Sequence, residues 1–260
     1  MLTSRRTKFL IFTVAYLLGM FFIEFQKFFG NAFVITFFLV AVFAFNLFVL
    51  YPGYKTSDIF YISFQPLMIA FGTILGLMFF PNLNEYFKLS LIVISAGLIY
   101  ISTLTNNLLI AEKVEESSLP LFRVGIIWTQ IILIIQSIPI LTIIYKSNVL
   151  FIFNSLVIFI YFFLASILYI HTLMLFYKKE KLSRGEFLII CLQMAFLPTI
   201  ASLATSFISA ESFLRATFIT SVFMGMVGYA RGYIENTINN LLIFQYSLII
   251  LIFLAILFLF

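Results

Sequence analysis

Long apolar stretches separated by short polar segments organise this chain. A helix that crosses the hydrocarbon core of a bilayer needs about 20 mainly apolar residues, with a range of roughly 17–25. Eight stretches approach or exceed that length, and they cover residues 9–25, 32–51, 59–80, 89–110, 124–145, 149–177, 187–209 and 241–260. The pattern therefore predicts a bundle of membrane-spanning helices.

A ninth apolar stretch, residues 216–230, is shorter and is bracketed by Arg215 and Arg231. The two arginines are 16 positions apart, which corresponds to about 24 Å of helix. Such a segment can cross a bilayer if both side chains extend outward to the polar surface. We therefore predict an all-α, polytopic integral membrane bundle of nine helices, with eight as the alternative. It forms a single transmembrane domain, residues 1–260, with no soluble domain.

The composition supports a membrane protein. Hydrophobic residues make up 63% of the chain, charged residues 10%, and the mean hydropathy is +1.17. Ordinary globular domains contain about 25% charged residues, so this chain has too few charges to cover a water-soluble surface. We expect a multi-pass protein of the cell (inner or plasma) membrane, with the lipid bilayer as its main partner and no nucleic acid. A single cysteine, Cys191, excludes an internal disulfide.

The positions of Lys and Arg predict the orientation. If the N-terminus is cytoplasmic, eleven of the fifteen basic residues fall in cytoplasmic segments, as the positive-inside rule requires. The segment between the sixth and seventh predicted helices, residues 177–186, contributes most to this bias. The exterior then holds Lys27, Lys88, Lys146 and Arg215.

An acidic turn is predicted between the fourth and fifth helices. It contains Glu112, Glu115 and Glu116 and is followed by Arg123. Ser118 suits a helix N-cap, and Pro120 would fall in the first helical turn, where its missing N–H costs little. Carboxylates just before a helix N-terminus are favoured by the helix dipole. We interpret the turn as structural; the alternative is an intramembrane enzyme that uses Glu115 and Glu116.

Proline follows glutamine at short distance in three odd-numbered helices. Proline frees a backbone carbonyl inside a helix, and a glutamine one turn away can satisfy it. Such broken helices line cavities in transporters. The candidate substrate pathway comprises Gln65, Pro66, Gln136, Pro139, Gln193, Pro198 and the single histidine, His171; simple kinking within a packed bundle is the alternative.

Small residues form stripes that predict close helix packing. Gly72 and Gly76 form a GxxxG pattern in the third helix, and the seventh and eighth helices carry longer stripes. The eighth helix is expected to pack on the seventh or on a partner subunit, with Thr220 on its opposite, tolerant face. Ion pairs from Glu211 to Arg215 and from Arg231 to Glu235 are expected at its ends. The stripes consist of Ala201, Thr205 and Ser209, and of Ser221, Gly225, Gly228 and Gly232.

These observations favour two functional classes. One is a permease or permease-like subunit for a neutral or lipid-like substrate, which the broken helices favour. The other is a non-catalytic scaffold subunit of a membrane complex, formed with a partner subunit or with further copies of the chain. Catalytic residues, a metal site and a cofactor are not expected, because one histidine and one cysteine cannot supply the three or four ligands of a metal centre.

Overall fold

The computed structural model describes residues 2–26, 28, 31–50, 56–80, 83–115, 121–147, 150–176 and 182–259. These residues form ten α-helices and no β-strand. The helices are α1 (Leu2–Phe25), α2 (Ala32–Leu50), α3 (Thr56–Ile62), α4 (Phe64–Phe79), α5 (Glu85–Glu115), α6 (Leu121–Lys146), α7 (Phe151–Phe176), α8 (Arg184–Thr205), α9 (Ser212–Glu235) and α10 (Asn240–Leu259).

Nine segments of this described part are long and apolar enough to cross a membrane, with α3 and α4 joined in one of them. The expectation of an all-α, nine-span protein is therefore confirmed. The chain divides into two compact units, Met1–Ile132 and Leu133–Phe260, and the boundary falls within α6.

The first unit packs α1 against α2 and α5, and α4 against α2 and α5. Tyr16 of α1 is buried, and its hydroxyl lies 3.0 Å from Oγ of Ser95 in α5. At the other end of the same interface, Nζ of Lys88 donates to Oε1 of Glu24 at 3.0 Å. The ion pair places the end of α1 and the start of α5 together, where Lys88 was expected on the exterior side.

The third predicted span is not a continuous helix, because it breaks at Ser63 between α3 and α4. Pro66 has no N–H to donate to the carbonyl of Ile62, four residues earlier. The expectation that a glutamine satisfies this carbonyl is wrong here: Nδ2 of Asn106 in α5 donates to it at 3.3 Å. Gln65 instead accepts a hydrogen bond from the Ser102 hydroxyl at 3.1 Å.

The second unit packs α8 between α7 and α9, and α10 against α9. The rings of Phe162 in α7 and Phe223 in α9 lie 4.4 Å apart at their centroids, and both side chains are fully buried. The hydroxyls of Ser137 in α6 and Tyr161 in α7 lie 2.9 Å apart. Apolar packing and a few neutral hydrogen bonds therefore hold this unit together.

The eighth span is longer than the apolar stretch 216–230 indicated. Helix α9 continues through both arginines and contains 24 residues, which corresponds to about 36 Å. Charged side chains interrupt the apolar pattern without interrupting the helical backbone. The expected ion pair from Arg231 to Glu235 is confirmed, with Nε 2.7 Å from Oε1. The expected ion pair from Glu211 to Arg215 is not formed among the described residues. The Arg215 guanidinium donates instead to the carbonyl of Ile208.

The glycine face of α9 packs on α10 and not on the stripe of α8. A Cβ added at Gly228 would overlap the ring of Tyr246, and one added at Gly225 would lie 2.9 Å from Cδ1 of Ile250. At Gly232 the nearest side-chain atom belongs to Ile238, at 3.3 Å. Because of these close approaches, the glycines allow α10 to lie directly on the α9 backbone.

Three other expectations about small residues need correction. Thr220 is 2% exposed and donates to the carbonyl of Ala216, so it does not lie on a tolerant outer face. Helix α8 ends at Thr205, which leaves Ser209 beyond the helix. In α4 both glycines are buried, but a Cβ at Gly76 would make an ordinary 3.9 Å contact with Leu91.

Candidate functional site

A cleft lies between α8 and α9 in the second unit. Its volume is about 250 Å³. We call it the α8–α9 cleft, and its lining consists of Glu186, Ile189, Ile190, Gln193 and Met194 of α8, and Met226, Tyr229, Ala230 and Tyr233 of α9. The side chains of Ile189, Tyr229 and Tyr233 are each about half exposed, so the cleft opens to the outside of the helix pair.

One end of the cleft lies at the first turn of α8. Ser183 caps this helix: its Oγ accepts from the backbone N of Glu186 at 3.2 Å, and its own N donates to Oε2 of Glu186 at 2.9 Å. This reciprocal arrangement is a capping box, which fixes the start of the helix and the position of the Glu186 carboxylate. The predicted topology places this end at the cytoplasmic surface.

The other end of the cleft lies inside the predicted span. Gln193 is nine residues beyond Arg184, the first residue of α8, which corresponds to about 14 Å along the helix. The predicted topology places the charged first turn of α8 at the membrane surface, and the hydrocarbon core is about 30 Å thick, so Gln193 lies roughly a third of the way into the predicted span. Its side chain is exposed and is part of the cleft wall. An amide at this depth has no water to bond, so it requires a polar partner in the cleft or in a neighbouring molecule.

The first unit contains a separate, fully buried cluster of neutral polar side chains at the break between α3 and α4. Nδ2 of Asn46 in α2 donates to Oγ of Ser63 at 2.8 Å, and Ser63 donates to the carbonyl of Ile59 at 2.8 Å. Helix α5 contributes Ser102 and Asn106, one turn apart, through the bonds described above. This cluster connects four helices, α2, α3, α4 and α5, and Asn106 satisfies the Ile62 carbonyl at the break.

A third polar group lies at the opposite end of α8 from Glu186. The Tyr145 hydroxyl donates to Oγ of Ser202 at 2.6 Å, which ties the end of α6 to the end of α8. The Arg215 guanidinium carbon lies 5.9 Å from the centre of the Tyr145 ring, a cation–π distance. Together with the carbonyl of Ile208, these groups hold the guanidinium at the start of α9.

Of the predicted pathway residues in the second unit, Gln193 alone lines the α8–α9 cleft. Gln136 is buried beside Ser137, on the part of α6 that faces Tyr161, while Gln193 is exposed in the α8–α9 cleft. Pro139 is exposed and Pro198 is buried. His171 is half-buried on α7 and is not part of the cleft wall. Gln65 and Pro66 belong to the break in the first unit.

The acidic turn is only partly within the described residues. The backbone of α5 is helical through Glu115, so Glu112 and Glu115 belong to the end of that helix and not to a turn. Glu116, Ser118 and Pro120 lie outside the described residues. Arg123 is exposed in the first turn of α6. The structural and the catalytic interpretations of this segment therefore both stay predictions.

Sequence reasoning missed most of the cleft and of the buried cluster. Tyr229 and Tyr233 are four residues apart, which places both phenols on one face of α9, and Ser102 and Asn106 show the same spacing in α5. Asn46 stands alone in an apolar run, a pattern that marks a polar contact inside a membrane bundle. These spacings were available signals, but the partner helices could not be inferred from them.

Within the part of the chain that the structure describes, three or more His, Cys, Asp or Glu side chains never come together as metal ligands would. Comparison with family models, with curated proteins and with solved structures finds no match for this chain. Functional interpretation therefore rests on the geometry of the molecule.

Proposed function

We propose that this multi-pass membrane protein is a permease-like subunit that binds a lipid-like substrate in the α8–α9 cleft. The single observation that carries the proposal is the exposed side chain of Gln193 in a mainly apolar cleft wall, inside the predicted span. An amide that is exposed inside the span is a candidate binding group, because it needs a hydrogen-bond partner that the hydrocarbon does not supply.

The size and the opening of the cleft favour a lipid-like molecule. Sites that enclose a drug-sized ligand measure about 300–1,000 Å³, whereas this cleft measures about 250 Å³ and is open along one side. It can hold one apolar chain with part of a head group while the remainder stays in the bilayer. Met194 and Met226 contribute flexible side chains that adapt to an irregular hydrocarbon surface.

The alternative scaffold function has less support from the contacts. It depended on small-residue faces that a partner subunit could occupy. The main face, on α9, is covered by Tyr246 and Ile250 of the chain's own α10. A partner would have to displace α10 to reach those glycines.

Filling the cleft tests the proposal. Met226→Trp places a large ring in the cleft, and Phe244→Trp adds a matched ring on α10, at a side chain that is 62% exposed. Native mass spectrometry of protein extracted in mild detergent measures lipid that stays bound. We expect bound lipid on the wild type and on Phe244→Trp, and loss of it from Met226→Trp. Equal lipid retention by all three proteins contradicts the proposal.

A further inference from the structure

The geometry points to a neutral lipid as the occupant of the α8–α9 cleft, with a hydroxyl or carbonyl oxygen of its head group hydrogen-bonded to Gln193. This inference rests on the proposed function and specifies the chemistry of the substrate. It follows from the charges of the cleft wall, from the depth of its polar groups and from their hydrogen-bonding capacity.

The charge of the wall disfavours phosphate-bearing lipids. None of the described lining residues is Lys or Arg, and the one ionisable group with a full charge at neutral pH is the carboxylate of Glu186. Arg231, the nearest cation in sequence on α9, holds Glu235 at 2.7 Å. Phosphate groups in proteins are held by Arg, Lys or helix N-termini, and here the Glu186 carboxylate lies at the one helix N-terminus of the cleft. An anionic head group in the cleft would therefore meet the Glu186 carboxylate, and no Lys or Arg belongs to the described lining.

The polar groups of the wall suit a neutral oxygen-bearing head group. Gln193 offers an N–H donor and a carbonyl acceptor, and the phenols of Tyr229 and Tyr233 can each donate or accept. Tyr233 and Glu186 lie toward the same end of the cleft, while Gln193 lies seven residues beyond Glu186, or about 10 Å deeper. A hydroxyl or ester carbonyl bonded to Gln193 satisfies the amide at a depth that water does not reach.

Diacylglycerol and phosphatidic acid form a matched pair of probes, because they share their acyl chains and differ by the phosphate. A long-chain alcohol is a second neutral probe that carries a hydroxyl without an ester. The measurement is the fraction of the full-length protein that retains each added lipid in native mass spectrometry, from detergent solutions of equal lipid content.

Two variants test the position of the head group. Gln193→Leu keeps the size of the side chain and removes the amide, and Gln245→Leu is the matched control, since Gln245 is an exposed glutamine on α10 outside the cleft. We expect Gln193→Leu to lower retention of the neutral probe by about 2- to 10-fold, the effect of one neutral hydrogen bond. Gln245→Leu should match the wild type.

The outcomes separate the two proposals. If the wild-type protein retains phosphatidic acid to the same extent as diacylglycerol, the proposal of a neutral head group is overturned, whereas lipid binding in the cleft stands. Equal retention of diacylglycerol by Gln193→Leu and Gln245→Leu overturns the position of the head group. Failure of every probe, together with no effect of Met226→Trp, overturns the proposed function itself. A photocrosslinking amino acid at position 193 gives a further test. Capture of a protein and no lipid overturns both lipid binding in the cleft and the neutral head group, because the occupant is then a partner helix.

Discussion

Gly228 of α9 lies directly against the ring of Tyr246 in α10, with no room between them for a β-carbon. Helix α10 is little buried elsewhere, since Leu257 is its one fully buried residue among those described. The close approach at Gly228 is therefore central to how the last span is held in the second unit. Dispersion contacts of this kind replace the hydrophobic effect as the force between helices in lipid.

Gly228→Ala should destabilise the protein, whereas Gly97→Ala should not. Alanine is the better helix former by about 1 kcal/mol, but overpacking a well-packed contact costs about 1–3 kcal/mol. A Cβ added at Gly97 has nothing within 4 Å, so Gly97→Ala gains helix propensity without the cost of overpacking. Thermal stability in detergent, followed by size-exclusion chromatography, measures the difference.

The steric explanation predicts a rescue. Removing the ring with Tyr246→Ala should make the second change, Gly228→Ala, nearly neutral, because neighbouring residues in contact are energetically coupled. Wild-type stability of Gly228→Ala alone contradicts the packed interface.

Asn106→Leu should destabilise the first unit by about 1–3 kcal/mol, because it leaves a buried carbonyl without a donor. That carbonyl, on Ile62, is free only because Pro66 lacks an N–H. Pro66→Ala restores the missing donor, so Asn106→Leu should cost much less in the Pro66→Ala background. Double-mutant analysis of unfolding in mixed micelles measures the coupling, and additive effects of the two changes argue against the pairing.

Tyr145→Phe should lower stability by about 0.5–1.5 kcal/mol, the net value of a typical hydrogen bond. The change removes the hydroxyl that donates to Ser202 and keeps the ring beside Arg215. Tyr86→Phe is the control, since Tyr86 is 81% exposed. Both variants are compared by thermal unfolding, and equal stability of the two means that the Tyr145–Ser202 bond contributes little.

The charge pattern predicts the topology of the chain. Reporter fusions after Lys181 should report the cytoplasm, and fusions after Lys146 should report the exterior. A fusion at Phe260 should also report the exterior, since nine spans from a cytoplasmic N-terminus end outside. The opposite signal at both internal sites contradicts the predicted orientation. A cytoplasmic signal at Phe260 alone means that one of the nine candidate spans does not cross the membrane.

The fold class could be read from the sequence because the membrane constrains it so strongly. Apolar stretches of the required length have one common solution in lipid, a helix that satisfies its own backbone. For the same reason the ion pair from Arg231 to Glu235 was predictable: both partners lie one turn apart on a single helix. The full length of α9 was not predictable, since the apolar stretch ends at the two arginines whereas the helix continues beyond them.

Contacts between helices were decided by the tertiary structure alone. The glycines of α9 predicted a closely packed neighbouring helix, but any helix with a complementary surface could be that neighbour. In the structure the neighbour is α10. Pro66 predicted a free carbonyl, that of Ile62, yet the donor to it comes from Asn106, 44 residues away along the chain. The sequence shows Gln193 as a polar residue in the seventh span, but Gln193 becomes part of a cleft because α8 packs on α9. Local sequence fixes what a helix offers, whereas the pairing of its surfaces depends on side chains that are distant in sequence and meet after folding.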